Sequence, residues 1–393
     1  MTAHSIYLLA PSGNPNFGDE FIAASWLRYL AKTQPDTEVY LDCPHPGLAQ
    51  VLFAGLHPKL RVTNTLWRAV AESAGLDAGD MRARVTDLVK NLGSPQYDLG
   101  LLQLRQASSL HLLGGGYING MWPHHYGLIA GMRAVREVSG ARLFATGLGL
   151  MPFVDDGELD ADSLFNGFEH ASARDDASVR TFGLSPGLDD AFLGAGAEVG
   201  RNSTAAGSLC ICIQNDTSDD GYLDHAVALA RERIATASAA GRSVHYFEAI
   251  PGSDRVAFEQ LRDLIPEANF IPFSEIWLNG LPLAANQEWL TTRFHFHVLA
   301  AAAGATGTVI GAKAGYYDVK HQSVLNLGSG WSYVDAGGDV SAPAANTLHH
   351  NLPALSARKL AEAGKLYPGP AAAQGESSLG KSLLRSVKRR MGA

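Results

Sequence analysis

A guanidinium and two imidazoles stand close together in residues 291–297, Thr-Thr-Arg-Phe-His-Phe-His, directly before small apolar residues that predict a buried helix over 298–303. Buried Arg and His side chains cost free energy unless each has a partner. An anionic ligand shared by Arg293 and His295 would give both a partner. Because histidine titrates near neutral pH, the pattern predicts acid-base chemistry on a bound anion, with Arg293 and His295 as candidate catalytic residues and His297 in a structural role.

Two further cations follow predicted strands, whose carboxyl ends face the ligand side of a parallel sheet. Arg174 ends a short strand, where its guanidinium suits a carboxylate or phosphate; the alternative is an internal salt bridge to Asp175 or Asp176. Lys320 follows the predicted strand 306–310 and suits a phosphate, although an isolated lysine is usually a surface residue. Together Arg174 and Lys320 predict a site for an anionic donor.

Three consecutive glycines, Gly114, Gly115 and Gly116, follow the predicted strand 109–113 and precede a predicted helix. Such a segment exposes backbone N–H groups, which can receive a phosphate or carboxylate without any side chain. The alternative is a sharp turn that only glycine permits. We therefore expect these glycines to assist the donor-binding cations.

Polar and aromatic residues near the same loops suit a sugar. Asn16 and Asp19 lie in a Gly- and Asn-rich turn at the start of the first predicted helix, where Asp19 could also be an ordinary helix cap. Trp122, His124 and His125 follow the glycine loop and could stack on or hydrogen-bond a sugar; packing at a domain edge is the alternative. We assign these five residues to acceptor binding.

The elements that would position these residues alternate between strands and helices. Predicted strands cover 5–10, 38–42, 109–113 and 142–146, and predicted helices cover 19–32, 78–92 and 125–138. A second series follows, with strands at 208–213, 243–247 and 306–310 and helices at 222–239 and 256–264. This alternation predicts an α/β protein with two Rossmann-like, doubly wound domains that face a cleft, an architecture similar to that of glycosyltransferase-B enzymes.

The Gly- and Ala-rich stretch 185–206 has little periodic apolar content and predicts a domain junction. We expect a first domain over 1–195 on the acceptor side and a second over 205–367 on the donor side. A linker and basic tail would occupy 368–393. In the tail, residues 381–390 alternate basic and apolar side chains. This pattern suits peripheral contact with an anionic membrane that presents a lipid-linked glycan, and a solvated, frayed tail is the alternative.

Composition excludes several classes of protein. The 393 residues are 46% hydrophobic and 18% charged, which favours a folded protein of about two domains. The net charge of -8, without a Lys/Arg run before the tail, argues against nucleic acid as a partner. Cys43, Cys210 and Cys212 form no CxxC pair, which argues against a metal site or disulfide framework. Without a secretory signal or a spanning stretch of about 20 apolar residues, we expect a cytoplasmic protein.

The ordered set of motifs resembles the polysaccharide pyruvyltransferase family from about Leu8 to about Gly328. The motifs that carry the resemblance are Asn16-x-Gly18-Asp19, Gly114 to Gly116, Arg174-Asp175-x-x-Ser178, Asp189-Asp190-Ala191-Phe192 and Arg293-Phe294-His295. The family more often has Leu between the Arg and the His, and residues 312–315 depart from its usual approach to the lysine at Lys320.

The resemblance implies phosphoenolpyruvate as the donor and a cyclic pyruvate ketal on a galactose, mannose or N-acetylhexosamine unit. It implies neither a nucleotide nor a redox cofactor. On that basis Arg174, Arg293, Lys320 and the glycine loop would bind the donor, His295 would transfer a proton, and the cleft would close on donor binding. Two other functions stay open: a glycosyltransferase that uses a nucleotide sugar, and a catalytically silent glycan-binding protein.

Overall fold

The computed structural model of the protein describes residues 5–154, 157, 159–335 and 338–369. In its first domain the strands are β1 (Ser5–Leu9), β2 (Glu38–Asp42), β3 (Leu60–Thr63), β4 (Ala107–Leu112), β5 (Arg142–Leu148), β6 (His170–Ala173) and β7 (Ser185–Pro186). They form one parallel sheet in the order β3-β2-β1-β4-β5-β6-β7. The chain reverses its direction of winding between β1 and β4, which opens a crevice at the carboxyl ends of the strands.

Helices connect these strands and cover the sheet. They are α1 (Phe17–Thr33), α2 (Pro46–Leu52), α3 (Leu66–Ser73), α4 (Ala78–Lys90), α5 (Pro95–Leu104), α6 (Tyr126–Ser139), α7 (Asp176–Phe182) and α8 (Phe192–Glu198). Short 3-10 turns occupy Pro123–His125 and Ala161–Ser163. The strand β1 is buried along its whole length, as expected for a parallel strand with helices on both faces.

The second domain repeats this plan. Its strands are β8 (Leu209–Cys212), β9 (Val244–Phe247), β10 (Phe270–Ile271), β11 (Glu288–Thr291), β12 (Thr306–Ile310) and β13 (Ser332–Val334). They form a parallel sheet in the order β10-β9-β8-β11-β12-β13, with the reversal between β8 and β11. The helices are α9 (Tyr222–Ala239), α10 (Arg255–Glu259), α11 (Phe273–Asn279), α12 (Phe294–Ala302), α13 (Tyr317–Asn326) and α14 (Leu348–Leu366), with a 3-10 turn at Glu267–Asn269.

One apolar cluster extends through both domains. It joins Phe17, Phe21 and Trp26 of α1 to Phe296 and Leu299 of α12. The last helix, α14, returns from the second domain and packs against both α8 and α12. The two sheets are therefore held together by a continuous apolar interior as well as by the chain that links them.

The predicted fold class is confirmed, since the structure has two doubly wound parallel-sheet domains. The stretch 185–206, predicted as a junction without periodic structure, contains β7 and α8. Helix α8 is rich in Gly and Ala because it lies close to α1: a Cβ added at Gly194 would come within 2.2 Å of Ser25 Oγ. Because Gly and Ala are small, the sequence of α8 has no apolar periodicity that would indicate a helix.

Other elements differ in extent. The helix predicted over 256–264 is limited to α10, and the helix predicted over 298–303 begins earlier, at Phe294. The basic tail at 381–390 lies outside the described residues. Within the described part of the chain, no helix combines the length and apolar character needed to cross a bilayer.

Candidate active site

A cavity of about 410 Å³ opens where the carboxyl ends of both sheets meet. Residues from both domains line it, as expected for a ligand site between two doubly wound sheets. The predicted site residues that line this cavity are Asn16, Asp19, Gly116, Trp122, His125, Arg174, Arg293, His295 and Lys320. Segments far apart in the sequence therefore converge on one cleft.

Gly114, Gly115 and His124 do not line the cavity. The Gly114 N–H donates to the Asp190 carboxylate at 2.8 Å, so this amide has a partner within the protein and does not point toward a ligand in the cavity. Gly115 has a φ of +146° and forms a parallel bridge with Leu148. His124 packs its ring 4.3 Å from that of His125.

His295 lies in the first turn of α12 and faces the amino-terminal turn of α1. A Cβ placed on Gly18 would lie 1.8 Å from His295 Nδ1, so the imidazole occupies space that only glycine leaves open. On the other side of the ring, Nε2 lies 3.5 Å from Asp189 Oδ1. The side chain is 12% exposed and reaches the cavity.

Arg174 follows β6 and is fixed by Asp189 rather than by Asp175 or Asp176. Its Nη1 donates to Asp189 Oδ2 at 2.5 Å, and both side chains are almost fully buried. Asp175 instead accepts the Ser178 N–H at 2.7 Å and caps α7. The alternative of a salt bridge to either neighbouring aspartate is thus wrong, because the capping geometry turns Asp175 toward its own helix.

The Arg174 guanidinium also lies 4.2 Å from the centre of the Phe294 ring, a cation-π contact. Burial acts to raise the pKa of Asp189, but the positive field of His295 and Arg174 outweighs it and holds this pKa well below its ordinary range. Asp189 is therefore an ionised anchor between the guanidinium and the imidazole.

Lys320 extends from α13 toward the glycine loop. Its Nζ lies 3.5 Å from the centre of the Tyr316 ring and 5.0 Å from that of Tyr317. A Cβ placed on Gly116 would be 2.8 Å from Lys320 Nζ and 3.2 Å from Arg174 Nη2, so both cations flank this glycine. Burial and the nearby Arg174 charge lower the pKa of Lys320 well below its ordinary value, although Asp19 opposes them.

Arg293 directly precedes α12, and its guanidinium forms ion pairs with two carboxylates. Its Nη2 donates to Asp216 Oδ1 at 2.6 Å, and its Nε donates to Asp254 Oδ1 at 3.0 Å. Asp254 is fully buried and also accepts the Ala249 N–H at 2.7 Å. Burial alone would lower the pKa of Arg293, but Asp254 and Asp216 raise it well above its ordinary value. The positive charge is therefore largely neutralised within the protein.

Asn16 and Asp19 combine capping with access to the cavity. Asn16 is the N-cap of α1, and its Nδ2 donates to Asp19 Oδ2 at 2.8 Å. Burial raises the pKa of Asp19, against the lowering effect of His295 and Lys320. This carboxylate faces the same cavity as His295 and Lys320.

Aromatic rings form another part of the cavity wall. Trp122 stacks on His125 with ring centres 6.3 Å apart and meets Tyr316 edge-on at 5.9 Å. His125 Nδ1 lies 2.8 Å from the Tyr117 carbonyl oxygen, which requires the proton on Nδ1, and burial lowers the pKa of His125 to about 4. The ring is therefore neutral at pH 7 and forms part of a flat surface.

The sequence did not point to several important residues. Asp189 lay in a motif quoted only for family resemblance, and Tyr316 lay beside Lys320 without an assigned role. Asp216 and Asp254 follow β8 and β9. Their positions after strands were a usable signal, but only the structure shows that both bind Arg293.

Two solved structures share this fold. One is a putative UDP-N-acetylglucosamine 2-epimerase from Listeria monocytogenes, with a TM-score of 0.50, 10% sequence identity and 97% of each chain covered. The other is S. aureus MnaA in a co-structure with UDP, with a TM-score of 0.52 and 11% identity over 93% of this chain and 90% of that chain. At these identities the likeness shows a glycosyltransferase-B-like fold and nothing about the reaction.

No curated protein gives a significant match. The family described as "Polysaccharide pyruvyl transferase" matches residues 16–312, a range that holds Asn16, Arg174 and His295. This range covers most of the chain and both sides of the cleft up to the end of β12. The protein therefore belongs to the polysaccharide pyruvyl transferase family.

Proposed function

We propose that the protein transfers the pyruvyl group of phosphoenolpyruvate to two hydroxyls of a sugar unit in a cell-surface polysaccharide, a glycolipid or a precursor of either. The products are a cyclic pyruvate ketal and inorganic phosphate. The observation that carries this proposal is the convergence of Arg174 and Lys320 on Gly116, in a cavity that also contains His295.

The donor carries a carboxylate and a phosphate on one enol carbon. Arg174 suits one of these groups, because its Nε is buried and has no hydrogen-bond partner among the described residues. Lys320 approaches from the opposite domain and suits the other. The donor would thus touch both domains, so the donor side is not confined to the second. Arg293 contributes less charge than expected from the sequence, since Asp216 and Asp254 neutralise it.

The reaction requires a proton at the methylene carbon of the donor and the loss of protons from two sugar hydroxyls. In our proposal His295, held in orientation by Asp189, donates a proton to the methylene carbon of the donor and later regains one from Asp19. The first sugar oxygen then bonds to the central carbon, and Asp19, whose pKa is raised, accepts the hydroxyl proton. The second hydroxyl displaces phosphate, which leaves with the remaining proton, and the ketal ring closes.

The sugar would lie on the aromatic wall formed by Trp122 and His125, beside Asn16. Flat apolar rings pack against the C–H face of a sugar, while polar groups at the edge receive its hydroxyls. His124 does not reach the cavity and has no part in this arrangement.

The direct test is to incubate candidate glycans with phosphoenolpyruvate and to measure phosphate release and glycan mass. Ketal formation adds about 70 mass units, as expected from the chemistry of the donor. His295→Ala and Arg174→Ala should abolish both signals, whereas His225→Ala, at an exposed position on α9, should retain them. Wild-type turnover in His295→Ala would remove this assignment.

Measurements of ligand binding to the same protein distinguish pyruvyl transfer from the two alternative functions. A ligand that binds the native state raises the melting temperature. Stabilisation by nucleotide sugars but not by phosphoenolpyruvate would favour a conventional glycosyltransferase. Glycan binding without consumption of phosphoenolpyruvate would favour a silent binding protein.

A further inference from the structure

Asp190, next to the active-site Asp189, is a buried junction for four elements. Its Oδ2 accepts the Trp26 indole N–H at 2.7 Å, the Thr146 hydroxyl at 2.8 Å and the Gly114 N–H at 2.8 Å. Its other oxygen forms an ion pair with Lys359. The carboxylate thus joins α1, the end of β5, the glycine loop and α14.

Glycines allow this close fit. A Cβ placed on Gly114 would come within 2.9 Å of Asp190 Cγ, and one placed on Gly147 would come within 2.7 Å of Asp190 Oδ1. The carboxylate is therefore enclosed by backbone on two sides. Its position fixes that of the glycine loop directly, and it fixes Asp189 through the adjoining peptide.

Lys359 supplies the counter-charge from the last described helix. The side chain is fully buried and also donates to the Leu188 carbonyl at 3.0 Å and to Glu362 Oε2 at 2.7 Å. Glu362 in turn accepts hydrogen bonds from Ser172 at 2.6 Å and from His170 at 2.8 Å. A buried lysine costs free energy unless it is paired, and here every acceptor but Glu362 belongs to the first domain.

We infer that Lys359 is a positioning residue for the donor site, acting through Asp190 on the glycine loop and on Asp189. This inference rests on the proposed function. Gly116, which is flanked by both cations, is two residues from Gly114, and Asp189 binds both Arg174 and His295. Lys359, like the donor-binding Lys320, lies beyond the family match, which ends at residue 312, so α14 supports a site whose Arg174, Asp189 and His295 lie within it.

The test compares Lys359→Met with Leu352→Ala, a core truncation on the same helix whose side chain can form neither a hydrogen bond nor an ion pair with Asp190. Lys359→Met should raise the KM and the Kd for phosphoenolpyruvate by at least about tenfold, because Arg174 and the glycine loop would leave the positions in which they hold the donor. The KM for the sugar should stay within about twofold, since the acceptor wall does not contact Asp190. Leu352→Ala should lower the melting temperature and leave the donor KM unchanged.

Hydrogen exchange of the free protein gives a readout that needs no turnover. Lys359→Met should accelerate exchange in residues 114–116 and 189–191, and Leu352→Ala should not. If Lys359→Met does not fold, Glu362→Gln replaces it, since this variant removes one carboxylate partner of Lys359 and should raise the donor Kd severalfold. Unchanged donor binding and exchange in the folded variant, or equal effects of Leu352→Ala, would overturn the inference.

A wild-type protein that does not consume phosphoenolpyruvate would instead refute the proposed function, and the exchange data would still decide the role of Lys359.

Discussion

Arg174 and His295, which come from different domains, meet on the two oxygens of one carboxylate. Asp189 Oδ2 accepts from the guanidinium at 2.5 Å, and Oδ1 lies 3.5 Å from the imidazole. A single anion thus sets the distance between the proposed donor-binding cation and the proposed proton carrier.

Replacing Asp189 with Asn should lower kcat/KM for phosphoenolpyruvate by about 100-fold, because the amide cannot hold both partners through charge. Initial rates of phosphate release would measure the effect. Asp176→Asn, at an exposed position that the structure does not connect to Arg174, is the control and should keep wild-type rates. Equal rates in the Asp189 variant would show that the anchor has no role in turnover.

Gly116→Ala should weaken donor binding by at least about tenfold, since the added methyl must displace Lys320 or Arg174. The backbone at this glycine does not have a positive φ, so alanine should be accepted without loss of fold. Isothermal titration with phosphoenolpyruvate gives the affinity. Gly47→Ala, whose added methyl would come within 4 Å of no residue outside its own helix, should bind the donor normally. An unaffected affinity in Gly116→Ala would place the donor elsewhere.

Binding of phosphoenolpyruvate should take up protons from the buffer. The pKa of Lys320 is lowered in the free protein, and a bound anion favours the charged ammonium, so the affinity should fall as the pH rises through this lowered pKa. Calorimetry in buffers of different ionisation enthalpy counts the protons. Lys320→Met should show less uptake than the wild type. A heat of binding that is independent of the buffer would contradict this role.

Arg293→Met should lower the free energy of unfolding by about 3–5 kcal/mol, because it leaves the buried Asp254 without its counter-charge. Denaturant titration would measure this loss. The double variant Arg293→Met/Asp254→Asn should recover part of it, since the carboxylate that remains without a partner, Asp216, is partly exposed to water. If Arg293→Met is as stable as the wild type, the two carboxylates do not depend on the guanidinium.

His321→Gln should reduce the dependence of stability on pH. His321 is buried between His297 and the Thr292 carbonyl, and burial lowers its pKa to about 3. The unfolded chain, with an ordinary histidine pKa of about 6.5, binds this proton first, so stability falls as the pH falls below about 6.5. In the variant, the slope of the unfolding free energy against pH should be smaller by about 1.4 kcal/mol per pH unit between roughly pH 6 and pH 4. Identical slopes in denaturant series would show that His321 does not contribute.

The fold was predictable because buried parallel strands are short apolar runs that stop near proline, glycine or polar residues. β1, β4 and β8 follow this pattern and were identified closely. β10 has only two residues, and β11 has four and begins with the charged Glu288. Neither strand is therefore long or apolar enough to be recognised from the sequence.

The residues around the cleft were also largely predictable, because strand ends and glycine loops face the ligand side of a parallel sheet. The pairing between them was not. Whether Arg174 contacts Asp175 or Asp189, and whether Arg293 is free or neutralised, depends on side-chain directions that become fixed only when the domains meet. No spacing in the sequence encodes a contact such as Lys359 with Asp190, which spans 169 positions.

The apolar cluster that runs through both domains has a consequence for the chain as a whole. This interior contains Phe17 and Trp26 from one domain and Phe296 and Leu299 from the other. Helix α14 packs against α8 and α12. Neither half retains a complete set of packing neighbours if the chain is severed near residue 205. Melting should consequently be cooperative, with both lobes lost in the same transition, and separately expressed halves should regain order only on reassociation.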